Sequence, residues 1–217
     1  MSSRITIKEL LDDRFNRVSR TTTGPLKVHE ICAEDFLKFA MNDSKGRNLR
    51  SWVNALGNVK RAIECRVDSL LYNYCLHKKS EKERWNFPTK IEIIQQLGII
   101  APRILKKINK KRNELEHRYV KPTEADVDDA LDIATLFLAY TNELANQPII
   151  SYGVRDDFTV ELKRKEGIIK LIDHANKIKK NAKIDDEDEM IEFAKRLSGC
   201  QQSYFKQPRI AINANHI

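Results

Sequence analysis

Arg112-Asn113-Glu114-Leu115-Glu116-His117-Arg118-Tyr119 sets a guanidinium, an imidazole and a phenol at successive spacings of five and two residues inside a helical pattern. Upstream, Ile104, Leu105, Ile108 and then Leu115 keep the three- and four-residue steps of an amphipathic helix. Six of the ten residues from Arg103 to Arg112 are basic, namely Arg103, Lys106, Lys107, Lys110, Lys111 and Arg112. Downstream, Pro122 closes the helix, because the residue before a proline avoids the α region. Thr123-Glu124-Ala125-Asp126 then offers a threonine N-cap and early carboxylates that suit a helix dipole, so a new helix is predicted from there to about Ala145.

That next helix carries Val127, Ala130, Leu131, Ile133, Ala134, Phe137, Leu138, Ala139 and Leu144 on more than one side, which suits a central bundle position or an oligomer interface. Ahead of the quoted stretch lies a longer pattern, from about Leu49 to His77. Its stripe of Val53, Leu56, Ile63, Val67, Leu70 and Tyr74 is expected to be core. A polar break at Lys78 to Pro88 separates it from a further helical run through Ile91, Ile94 and Leu97, interrupted by Gly98 and Pro102.

Before Asn48, two short helical patterns, Ile7 to Val18 and Ala33 to Met41, flank the turn-rich Thr21-Thr22-Thr23-Gly24-Pro25. After Pro148 the period changes. Phe158, Val160 and Leu162 alternate with Thr159, Glu161 and Lys163, and Gly167 leads into Ile168 to Ile172, which reads as a hairpin, with Ile149 to Val154 as a third strand. The acidic Asp185 to Glu189 introduces a helix with Met190, Ile191, Phe193, Ala194 and Leu197, ended by Gly199, and an aperiodic tail follows. The expected organisation is an N-terminal helical extension over 1–48, a helical bundle over 49–147 and a small α+β unit over 148–217.

With 41% hydrophobic and 32% charged residues, seven Gly and six Pro, the chain can build a packed, mainly α core, and global disorder is not expected. No apolar run reaches bilayer-spanning length, and Met1-Ser2-Ser3-Arg4 is followed by Lys8, Glu9, Asp12 and Asp13 rather than a hydrophobic signal core. The expectation is a cytoplasmic protein with no membrane partner. Cys32, Cys65, Cys75 and Cys200 show no CxxC spacing, and His29, His77, His174 and His216 stand at no metal-ligand spacing, so neither a metal nor a cofactor is expected. A net charge of +8, concentrated beside His117, favours a polyanionic partner.

The order arginine, four residues, histidine, one residue, tyrosine resembles the RxxxxHxY signature of HEPN domains, especially the ribonuclease toxins paired with small nucleotidyltransferase antitoxins. The likeness extends over roughly residues 49–147: a long helix with Asn54-Ala55-Leu56 and Lys60-Arg61-Ala62-Ile63-Glu64, the motif helix, and the Ala-rich helix after it. The resemblance implies an up-and-down helical bundle that dimerises so that two copies of the motif share a cleft. It implies metal-independent RNA cleavage with Arg112 and His117 as catalytic residues, Asn113 and Tyr119 supporting, and a setting in toxin–antitoxin, stress or anti-phage systems with a protein antitoxin or regulator. Glu116 departs from the family pattern, where a small residue often precedes the histidine.

The chemistry is coherent on its own terms. Cleaving RNA through its 2′-hydroxyl needs a proton acceptor and donor near neutral pH, and positive charge on the transition state, tasks that suit histidine and arginine. On one helix Arg112 and His117 diverge by roughly 140° at 100° per residue. Supply of Arg from one subunit and His from the other in a homodimer resolves that divergence. Arg103, Lys107, Lys110 and Lys111 would guide the RNA backbone without reading sequence. Two alternatives stand beside this reading: a non-catalytic HEPN module that binds nucleotide or nucleic acid, and a helical dimerisation protein that recruits a protein partner.

Overall fold

A computed structural model describes residues 18–22, 24, 26, 28–99, 105, 118–154, 158–166, 168–173, 178–182, 191–195 and 197–199. These residues are mainly helical, with one antiparallel sheet. In chain order they form β1 (Val18–Thr22), α1 (Ala33–Ser44), α2 (Leu49–Asn73), α3 (His77–Lys82), α4 (Phe87–Gln96), α5 (Glu124–Asn146), β2 (Ile149–Val154), β3 (Phe158–Lys163), a 3-10 turn (Arg164–Glu166), β4 (Ile168–Asp173) and β5 (Ile178–Ala182). Residues 191–195 and 197–199 are helical again.

The central element is α2. Asn48 caps it by accepting from the Ser51 amide at 3.0 Å, and Leu56, Ile63, Val67 and Leu70 are buried as their spacing predicts, with Tyr74 just beyond its end, while Val53 stays partly exposed. It packs against α1, α4 and α5. The helix stops at Asn73 rather than continuing to His77. Cys75 takes a left-handed φ of 62°, and the Leu76 amide reaches back to the Leu71 carbonyl at 2.8 Å, the closing pattern of a Schellman turn. Within the expected polar break the chain forms α3 and the first turn of α4, where Pro88 is tolerated because a first-turn amide needs no helical acceptor.

Thr123 and Asp126 form a reciprocal capping box at the start of α5: the Asp126 amide donates to Thr123 Oγ1 at 3.2 Å, and the Thr123 amide donates to the Asp126 carboxylate at 3.1 Å. Thr123→Ala is expected to cost about 1 kcal/mol, the usual value of such a cap, read as a lowered urea midpoint at unchanged slope.

The sheet is a five-stranded antiparallel meander in the order β1-β2-β3-β4-β5. The three strands expected after Pro148 are present, and Leu162 lies opposite Ile169 in the β3–β4 ladder with both buried, so the period-two alternation does face a core. Two strands were not anticipated. Val18 begins β1 rather than ending a helix, and Thr21 and Thr22 are strand rather than turn, pairing with Ser151 and Ile149 across a bulge. At the other edge, β5 is the lysine-bearing Ile178-Lys179-Lys180-Asn181-Ala182. Both are edge strands, whose polar composition lacks the buried alternation that marks an inner strand. The described part of 1–48 is therefore woven into both layers: α1 shares the hydrophobic core with α2, and β1 extends the sheet.

A knot of buried polar groups joins helices to sheet. Asn73, at the end of α2, donates through Nδ2 to the Leu144 and Ala145 carbonyls at 3.1 and 2.9 Å, satisfying the C-terminal turn of α5. Arg164 donates through Nε to the Asn73 carbonyl at 2.9 Å and through a terminal nitrogen to the Ile149 carbonyl. A buried cation is thus held by the carbonyl end of α2, where the helix dipole favours it. Tyr74 shares a hydrogen bond with Ser198, which ties the C-terminal helical residues to the same point.

Candidate functional site

Of the residues singled out in the sequence, Arg112, Asn113 and His117, together with Arg103, Lys107, Lys110 and Lys111, lie outside the described residues. The flanks of the segment are described. Leu105 is helical and buried, as its place in the apolar stripe predicts, and Arg118 is helical. Tyr119 follows with a left-handed φ of 54° and is 85% exposed, so the phenol stands at a turn in contact with solvent, ahead of buried Pro122 and the α5 cap. A non-glycine residue in this region is strained by about 1–2 kcal/mol, and it is the conformation in which helices commonly terminate.

A second locus is a cleft that no motif announces. Two cavities of about 410 Å³ each open beside α2, both walled by Val28 and His29. Arg66 of α2 lines the first cavity and is only 2% exposed. One terminal nitrogen pairs with the Glu34 carboxylate of α1, the other reaches the Thr141 carbonyl of α5 at 3.4 Å, and Nε has no partner among the described residues. Burial works against ionised Glu34, but the Arg66 charge and the hydrogen bonds from Cys32 and Arg66 win, holding the carboxyl below its ordinary value. Burial pushes the neighbouring Cys65 thiol up to about 11, so it stays protonated and is no nucleophile at neutral pH.

The second cavity is lined by Asp68 and Tyr72 of α2, His77, Lys78, Ser80 and Glu81 of α3, Lys90 of α4 and Lys165 of the 3-10 turn, among others. Lys90 pairs with Asp68 at 2.7 Å, and Lys78 with Glu81 at 3.6 Å. The Tyr72 and His77 rings lie 4.7 Å apart, and buried His77 Nδ1 has no partner among the described residues. Burial first, then the Lys78 charge, depresses the His77 pKa below 6.5. The fold therefore holds His77 neutral, whereas the unfolded chain takes up a proton near the ordinary value. Below about pH 6.5 the unfolded state binds more protons, so stability falls as the pH drops towards the depressed folded value. His77→Gln should flatten that component, a difference visible in urea midpoints compared between about pH 8 and about pH 5.

Sequence spacing assigned His29 and His77 no chemistry. Nothing in the linear pattern could have assembled this cleft, because Asp68, His77, Lys90 and Lys165 come from four separate elements. No group of three or more metal-binding side chains occurs among the described residues, and no described helix is long and apolar enough to cross a membrane. No family model, curated protein or solved structure matches this chain.

Proposed function

We propose that this chain is a HEPN-type RNA-binding protein with metal-independent endoribonuclease activity, acting as a homodimer in which Arg112 of one copy and His117 of the other meet on the RNA. The observation that carries the reading is the order Arg112, Asn113, His117, Tyr119 on a strongly basic segment of a chain with net charge +8. Three described features support it. The segment runs up to helical Arg118 and exposed Tyr119, which leaves an aromatic ring available for stacking on a base. The long helix α2 and the helix α5 that follows the segment pack together as bundle neighbours do. On α5, Leu136 and Tyr140, one turn apart, are 70% and 45% exposed, an apolar stripe suited to a second copy. In this reading Arg103, Lys107, Lys110 and Lys111 hold the phosphate backbone, and a protein antitoxin restrains the activity in a toxin–antitoxin, stress or anti-phage setting.

Glu116 favours a second reading. A carboxylate next to His117 in the chain adds negative charge where the family pattern has a small residue, a departure that weighs against cleavage more than against binding by the basic residues upstream. The two readings separate on incubation of the purified protein with a mixed RNA pool in EDTA, beside Arg112→Ala and His117→Ala. Cleavage by wild type alone supports catalysis. Equal cleavage by all three proteins sinks it, and salt-sensitive binding without cleavage leaves the binding module.

A further inference from the structure

Two thiols meet where the chain enters α1. Cys65, well inside α2, donates its thiol to the Ile31 carbonyl at 3.6 Å. That oxygen belongs to the peptide unit joining Ile31 to Cys32, so the Cys65 sulfur stands within about 6.5 Å of the Cys32 Cα by standard peptide dimensions. Cys32 is exposed, and its thiol donates to the Asp35 carboxylate at 3.0 Å, a contact that rotation about Cα–Cβ exchanges for an approach to Cys65.

The packing of α1 on α2 keeps the two sulfurs near each other. Glu34 pairs with Arg66, two residues beyond Cys32 and next to Cys65, and Asn58 donates to the Asp43 carboxylate at 2.8 Å further along the same antiparallel crossing. Thiols pinned in this way have the high effective concentration that favours a bond within one chain. Their chemistry sets the character of that bond. Burial first, then the Asp35 carboxylate, raises the Cys32 pKa, while burial, then Cys32 and Asp68, pushes Cys65 up to about 11 against the opposing charge of Arg66. Neither thiolate is stabilised, so exchange is slow at neutral pH and the reduced form gains nothing that oxidation would forfeit. A disulfide between such thiols forms slowly and resists reduction, unlike that of a low-pKa catalytic pair.

We infer that Cys32 and Cys65 form a redox-closed latch, in which an oxidant of the disulfide class joins them and ties the start of α1 to α2. With glutathione disulfide, the exposed Cys32 thiolate attacks one sulfur, forms a mixed disulfide and expels one glutathione thiolate. Cys65, as thiolate, then attacks the Cys32 sulfur and expels the second. Two protein thiols are oxidised, one glutathione disulfide is reduced, and the two thiol protons end on the two glutathiones. The closed loop contains α1 and the first part of α2, so the latch restrains the unfolded chain and stabilises the fold. It is independent of Arg112 and His117 and stands whether or not the chain cleaves RNA.

Incubation of the full chain with glutathione disulfide at about pH 8.5, followed by maleimide trapping of free thiols in denaturant and peptide mass mapping, tests the pairing. The expected product is a Cys32–Cys65 linked peptide from a monomeric chain two hydrogens lighter, reversed by dithiothreitol. The oxidised chain should show a higher urea midpoint and a smaller slope than the reduced one, because a cross-linked unfolded state is more compact. Cys32→Ser, which keeps a capping hydroxyl, and Cys65→Ser should each lose the linked peptide and the gain in midpoint, with the circular dichroism of the wild type. Cys200→Ser should retain both. No reaction, glutathione adducts alone, linkage through Cys75 or Cys200, cross-linked dimers alone, or a linked peptide with an unchanged midpoint each overturns the proposal.

Discussion

His117→Ala is expected to slow RNA cleavage by about 10²–10⁴-fold, the span over which a positioned general acid or base acts. Arg112→Ala is expected to cost about 10²–10³-fold, as loss of one charge-stabilising donor does. Neither loss should respond to added metal, and wild-type cleavage should persist in EDTA. The proposed cross-subunit arrangement makes a sharper demand. When Arg112→Ala and His117→Ala chains are mixed and allowed to exchange, about half of the dimers become mixed, each with one intact pair, so about one quarter of wild-type activity should return. Two inactive proteins that stay inactive on mixing would place Arg and His on the same subunit, against the divergence of roughly 140° expected of a five-residue spacing on one helix.

The second large effect is on stability, and it is asymmetric. Arg66 is 2% exposed and Glu34 is 40% exposed, so the two halves of their ion pair are not equivalent. Glu34→Ala strands a buried guanidinium whose Nε already lacks a partner, and should destabilise the fold by about 3 kcal/mol, the lower end of the range for orphaned buried charges because water reaches the Glu34 side. Arg66→Met instead leaves a carboxylate that solvent can hydrate and fills the same volume with apolar atoms, at a cost of about 1 kcal/mol or less. Urea unfolding of the two variants measures the order directly. Equal losses would mean that the pair contributes through contact alone. The same pair predicts acid lability. The folded Glu34 pKa lies below the ordinary 4.5, so its contribution is complete above that value and is lost as the pH falls through the lowered one.

Much of the local architecture was legible in the sequence. The apolar steps of α2, the Thr123 cap of α5 and the alternation of β3 each depend on residues within a few positions of one another, and all three appear where the spacing placed them. The end of α2 was not legible, because Tyr74 and Cys75 continue an apolar pattern and the left-handed turn at Cys75 carries no glycine to mark it. The edge strands β1 and β5 were missed for a related reason: one face of an edge carries polar residues, and pairing with β2 and β4 supplies the order that composition does not.

The candidate sites divide along the same line. The Arg112 to Tyr119 segment is a property of the sequence, since its chemistry lies in adjacent residue types, and the sequence by itself placed a basic, motif-bearing segment ahead of the capped α5. The cleft on α2 belongs to the tertiary structure alone. Glu34 meets Arg66, and Lys165 shares a cavity with His77, only because α1 packs on that helix and the 3-10 turn meets its end. Helical periods and caps are set within one or two turns of chain, whereas charge pairing and a cavity between separate elements are set by packing, which no local pattern encodes.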